Sequence, residues 1–284
     1  MLGKLMKYEW KATKKILLPL NLTIVLITLM GCVFLGTDIL QSESSIPLVV
    51  LLIVLYALSM VALCLASNIY LLIRFYKNLF SNEGYLMFTL PVNPVQLLNS
   101  KLIVAYIWSF FNALLTYISI FALTFSSSYY SAIHGDSNSK STFLSRIISS
   151  IAGDATDSAS FQEVFGYSEL GFLFQFTIYL LISAFFSLTM GYFAIILGQL
   201  IEKYKLASSI AFYIVLYVSS QLISTITLIA INLSNITSNS LSSLELTRSI
   251  YSTIFPTSSI SSLILGILFY VATLFIIRKK INLD

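Results

Sequence analysis

The stretch Ile46-Pro-Leu-Val-Val-Leu-Leu-Ile-Val-Leu-Tyr-Ala-Leu-Ser-Met-Val-Ala-Leu-Cys-Leu-Ala-Ser-Asn-Ile-Tyr-Leu-Leu-Ile73 contains no Asp, Glu, Lys, Arg or His. A helix crosses the roughly 30 Å hydrocarbon core of a bilayer with about 20 such residues, so this stretch has length to spare. Comparable runs lie on either side of it, at Ile16–Gly36, Leu102–Phe125, Gly171–Leu200, Leu206–Leu233 and Ser258–Ile277. The pattern predicts an all-α membrane protein with six transmembrane helices and both termini on one side. Pro19 and Pro47 are expected in first helical turns, where the missing backbone donor costs little. Composition agrees, because 57% of the 284 residues are hydrophobic and 10% charged, against roughly 25% charged in an ordinary soluble domain.

The net charge of +4 is distributed one-sidedly. Five basic residues precede the first span, three lie in Arg74–Lys101, two in Ile201–Lys205 and three follow Ile277; Lys140, Arg146 and Arg248 alone fall on the other side. The positive-inside rule then predicts cytoplasmic N- and C-termini in the cell membrane. Nucleic acid is not an expected partner. Cys32 and Cys64 lie inside apolar runs and His134 in a Ser/Gly/Asp stretch, which leaves no disulfide framework and no repeated metal-ligand spacing. Leu29-Met-Gly-Cys32 imitates a lipoprotein cleavage site, but methionine before the glycine fits poorly and five further spans make a lipid anchor redundant.

Residues 1–15 are expected as an amphipathic interfacial helix on the inner leaflet. Lys4, Lys7, Lys11, Lys14 and Lys15 follow helical spacing and leave Leu2, Leu5, Met6 and Trp10 on the apolar side, with Trp10 near headgroup level. Glu9 is the one misfit on that side. On the outside, residues 126–170 are expected as a long polar loop carrying a short amphipathic helix through Phe143, Leu144, Ile147, Ile148 and Ile151. Residues 234–257 are a second external segment, with Leu241, Leu244, Ile250 and Tyr251 on its apolar side.

The spans hold no ionisable relay of the kind proton-driven transport uses. They offer Asn68, Asn112, Gln175, Gln199 and Gln221 with scattered hydroxyls. Such amides serve as interhelical hydrogen bonds, worth about 1 kcal/mol each, or as substrate contacts; Asn68, Asn112, Gln175 and Gln221 are the candidates for a substrate path. No phosphate-cradling G-x-x-x-x-G-K-[ST] motif is present, and one loop histidine cannot build a Ser/His/Asp triad. The chain is expected to be non-catalytic.

The cytoplasmic segment Arg74-Phe-Tyr-Lys-Asn-Leu-Phe-Ser-Asn-Glu-Gly-Tyr-Leu-Met-Phe-Thr-Leu-Pro-Val-Asn-Pro-Val-Gln-Leu-Leu-Asn-Ser-Lys101 is the most informative. Phe75, Leu79, Leu86 and Leu90 form an apolar stripe, broken at Ser81-Asn82-Glu83-Gly84 into two short helices with a polar corner. Asn93 is expected to cap a helix whose first residue is Pro94. An aromatic-rich hairpin of this kind suits a docking surface as well as an ordinary interfacial loop.

The basic amphipathic start Met1-Leu-Gly-Lys-Leu-Met-Lys-Tyr-Glu-Trp-Lys11, the hairpin with Glu83-Gly84, Leu90-Pro-Val92 and Lys101, and the six spans together resemble the permease subunits of type-2 ATP-binding-cassette exporters. The resemblance covers the whole chain in architecture and about forty residues in motif. It implies that residues 74–101 are a coupling hairpin, with Phe80, Asn82, Glu83, Gly84, Tyr85 and Leu86 entering a separate cytoplasmic ATPase that holds ATP and Mg2+. It further implies that residues 1–15, through Lys4, Lys7, Trp10 and Lys11, are the connecting helix, that two six-span subunits, identical or similar, surround the path, and that residues 234–257 partly re-enter the membrane. Two other readings stay open: a secondary transporter built from two three-span halves, and a scaffold or sensor using residues 126–170.

Overall fold

The computed structural model describes residues 2–35, 46–80, 94–133, 169–201, 204–237 and 243–280. It is all-helical there, with α1 Leu2–Leu35, α2 Ile46–Phe80, α3 Pro94–Ile133, α4 Glu169–Gln199, α5 Lys205–Thr237 and α6 Ser243–Lys280. All six are long and apolar enough to cross a membrane, and the chain is a multi-pass membrane protein. Helices are what hydrocarbon demands, since every backbone N–H and C=O must find its partner within the segment.

Each helix is longer than the run that announced it. α1, at 34 residues, is about 51 Å long. Residues 1–15 are thus not a separate interfacial helix: from Leu2 they continue unbroken into the first span. Nothing between Ala12 and Leu18 interrupts a helix, and Pro19, expected in a first turn, sits in the interior. Pro47 does lie in the first turn of α2, and Pro94 does open α3. The segment 74–101 divides likewise: Arg74–Phe80 complete α2 and Pro94–Lys101 begin α3, while residues 81–93 lie outside the described residues. α3 runs to Ile133 and α4 starts at Glu169, so the segment expected as a loop over 126–170 is helical at both edges, and its interior is outside the described residues. Residues 243–257 are the opening turns of α6, continuous through Pro256.

The chain forms two units. In one, comprising Met1–Trp10, Ile69–Phe110 and Ala159–Asp284, α4 packs on α6 and on α5, and α5 on α6. Lipid offers no hydrophobic drive for helices to associate, so close fit must supply it. The α4–α6 seam is aromatic: Phe255 meets the edges of Phe172, Phe176 and Tyr179, and Phe269 stacks with Phe186 and Phe193. Gly266 lies where a β-carbon would come within 3.1 Å of Phe185. The other unit comprises Lys11–Asn68 and Phe111–Ser158. There Gly31 faces Leu123, and a hydroxyl knot joins the helices: Thr28 Oγ1 and Ser119 Oγ are 2.5 Å apart, and Tyr56 hydroxyl is hydrogen-bonded to the same Ser119.

Many other span hydroxyls never leave their own helix. Ser67, Thr189, Ser219, Ser220, Thr227 and Ser259 all donate to carbonyls three or four residues back.

Among the described glycines, Gly198 at the α4–α5 corner has the closest neighbours. Ser208 Oγ donates to Gly198 O at 2.9 Å, Ser209 Oγ donates to Ile195 O at 3.3 Å, and a β-carbon on Gly198 would lie 2.6 Å from Ser209 Cα. The clash is with backbone, which cannot swing aside. Gly198→Val is therefore expected to open this corner and to lower stability by about 1–3 kcal/mol, read as an earlier unfolding transition in detergent; Gly3→Val, where no atom lies within 4 Å, serves as the control.

Candidate functional site

Three helix ends meet at a carboxylate. Glu9 on α1 accepts from Arg74 Nε near the end of α2 at 2.6 Å and from Lys101 Nζ near the start of α3 at 3.4 Å. The side chains are 11%, 22% and 4% exposed respectively. Removing three charges from water costs several kcal/mol per ion, so they persist there as a mutually compensating set. Glu9, the misfit of the amphipathic pattern, is on the inward side because its partners are inside.

Aromatic rings surround the cluster. Trp10 stacks on Trp108 of α3 with centroids 4.8 Å apart, so it rests against protein and not simply at headgroup level. Phe75, one residue after Arg74, stacks on the fully buried Tyr192 of α4 at 3.7 Å. Asn99 Oδ1, two residues before Lys101, accepts from the Tyr270 hydroxyl of α6 at 2.7 Å. Arg74 and Lys101 are the outermost residues of the expected coupling hairpin, so Glu9 ties both stems of the 81–93 segment to the N-terminal turns.

The predicted site residues fare differently. Lys4, Lys7 and Lys11 are exposed on α1, and Phe80 is half-buried at the end of α2 in edge contact with Phe75. Asn82, Glu83, Gly84, Tyr85 and Leu86 lie outside the described residues. Of the path amides, Asn68 is half-buried and donates from Nδ2 to Cys64 O of its own helix. Gln221 is exposed on α5. Gln175 lines a cavity of about 260 Å³ between α4 and α6, with Ile178, Ile182, Pro256 and Ser259 among its walls. Asn112, 3% exposed, has no hydrogen-bond partner for either side-chain atom among the described residues. Asn68 and Asn112 belong to one unit, Gln175 and Gln221 to the other.

Comparison with protein-family models, curated proteins and solved structures finds no match. The site must be read from its own chemistry. Among the described residues no three His, Cys, Asp or Glu side chains gather as a metal ion would require. A carboxylate shared by a guanidinium and an ammonium joins the three helices that carry them.

Sequence reasoning missed this cluster, although a signal was present: one acid among five lysines, and a lone cation just beyond the end of one apolar run and another just before the next. Glu9→Ala strands the buried Lys101 and the half-buried Arg74 and is expected to lower stability by about 1–3 kcal/mol. Trp10 and Trp108 are the two tryptophans of the chain, so the same change should also diminish the near-ultraviolet circular dichroism of their stack, whereas Glu9→Asp should retain most of it.

Proposed function

We propose that this chain is the permease subunit of an ATP-driven exporter, non-catalytic itself and coupled to a separate cytoplasmic ATPase through the segment between α2 and α3. The observation that carries the reading is the Glu9 clamp. A loop that only crosses between two spans needs no ion pairs at both stems, whereas a loop that transmits force needs stems that do not slip. The resemblance noted in the sequence supplies the partner: an ATP-binding-cassette subunit holding ATP and Mg2+, with a second permease completing the path. The thirteen basic residues assigned to one side support cytoplasmic termini and a cytoplasmic 81–93 segment. No acid, base or histidine in the predicted spans is available to carry protons, which favours ATP over an ion gradient as the source of energy.

Purification in gentle detergent followed by mass analysis should recover a soluble ATPase with the chain. Tyr85→Ala or Leu86→Ala, each removing an apolar anchor, should weaken that association about thirtyfold without loss of membrane insertion. Glu83→Lys and Gly84→Val should leave the complex in the membrane with ATP hydrolysis uncoupled from export, and Tyr129→Ala should change neither. Wild-type association and export in all the inner variants would reduce 81–93 to an interfacial loop and remove the exporter reading.

The orientation is tested separately. In a background lacking Cys32 and Cys64, Ser139→Cys and Ser240→Cys should react with an impermeant thiol reagent in intact cells, and Ser81→Cys should react only after lysis. Labelling of Ser81→Cys in intact cells would reverse the topology.

A further inference from the structure

The fastening of Glu9 leaves the opposite side of α1 without an acid. Residues of an α-helix advance by about 100° each, which places Lys4, Lys7, Lys11, Lys14 and Lys15 in one sector about 100° wide and Glu9 on the far side. All five lysines are exposed. The same sector continues up the helix as Leu18, Leu22, Val25 and Leu29, of which Leu18 is 50% and Leu29 57% exposed. These side chains are apolar, uncovered and on a membrane-crossing helix, so their solvent is acyl chain. One row of α1 thus changes from cationic to acyl-facing between Lys15 and Leu18, about one turn or 5 Å apart. That is the spacing between a lipid's charged headgroup and the top of its own tails.

We infer that the lysine row of α1 is a binding surface for anionic phospholipid headgroups, with Lys11, Lys14 and Lys15 taking the phosphate region and Leu18 and Leu22 the upper acyl chain. A lysine carries its ammonium on a flexible apolar stem that can lie along the helix and reach the headgroup level. Tyr8, 73% exposed beside the row, adds an amphipathic ring about 5 Å beyond Lys11 along the helix axis. An acidic soluble protein would also meet five positive charges, but it could not occupy the row where it passes into acyl chains. The lipid fits both chemistries at once. This assignment does not depend on the exporter reading, and it holds whether or not an ATPase is bound.

The test uses the full chain in neutral detergent, titrated with phosphatidylglycerol or phosphatidylcholine of identical acyl chains, with bound lipid counted by native mass spectrometry. Wild-type protein should prefer phosphatidylglycerol, and the preference should decline as salt is raised. Each Lys→Gln change at positions 11, 14 and 15 should lower phosphatidylglycerol affinity about fivefold, and the triple change about a hundredfold, with phosphatidylcholine binding unaltered. The Lys→Arg triple should retain the preference. These positions are exposed, so the Trp10–Trp108 circular dichroism signal should be intact in every variant and certify the fold. Equal affinity for the two lipids in the wild type overturns the proposal. So does an undiminished preference in the Lys→Gln triple, or one lost instead with Lys279→Gln on α6. Loss of a copurifying soluble protein in the triple, with the lipid preference retained, would make the row a protein-docking surface and equally overturn it.

Discussion

A carboxylate that is almost out of water cannot stand alone, and that constraint fixes how the first turns of α1, the last turns of α2 and the first turns of α3 come together. Coulomb attraction falls slowly with distance in a poorly screened interior. Two cations from different helices therefore converge on Glu9, and the rings that follow them in sequence are carried into place. Trp10 comes with Glu9, and Phe75 with Arg74. The stacks on Trp108 and Tyr192 are then consequences of the charge arrangement as much as of aromatic packing. Replacement of the whole set by apolar side chains of similar volume would be tolerated better than loss of one member, which separates the specificity of the cluster from its net contribution to stability.

Elsewhere cohesion has a different origin. Between α4 and α6 there is neither a charge to neutralise nor water to expel in the hydrocarbon zone, so association relies on contact. Phe255 and Phe269 supply area, and Gly266 permits the approach. The unit that contains the hydroxyl knot of Thr28, Tyr56 and Ser119 uses polar contacts in the same role. Interhelical hydrogen bonds of this type contribute about 0.6 kcal/mol on average, so the knot fixes rotation and register more than it adds stability.

How much of this was legible in the sequence follows from the range of the forces involved. The six spans were readable because hydrocarbon imposes its demand residue by residue, and a run such as Ile46–Ile73 satisfies it without reference to the rest of the chain. Helix ends were not, since polar residues such as Lys7, Lys77 and Arg248 carry no signal against helix once a helix has been nucleated; at the expected breaks at residues 15, 73 and 257 the backbone stays helical. Pro19 misled for a different reason, because transmembrane helices tolerate an interior proline where the freed backbone carbonyl finds another partner. Lysine spacing correctly gave the exposed side of α1. Glu9 appeared as an exception to that pattern, and only its partners, 65 and 92 residues away, explain it. The amides differ in a way no local pattern records: Asn112 is buried, Gln175 half-buried and Gln221 exposed, a difference set by neighbouring helices.

The hydroxyls that donate back along their own helices change what the composition of the spans means. Counted by letter, α5 with Ser219, Ser220 and Thr227 resembles the wall of an aqueous passage. Each of those protons is already engaged by a carbonyl one turn below, and a hydroxyl so engaged offers its neighbours an acceptor oxygen but no free donor. Such a wall accepts hydrogen bonds but donates none, and its donor capacity is held in reserve at about 1 kcal/mol per hydroxyl released.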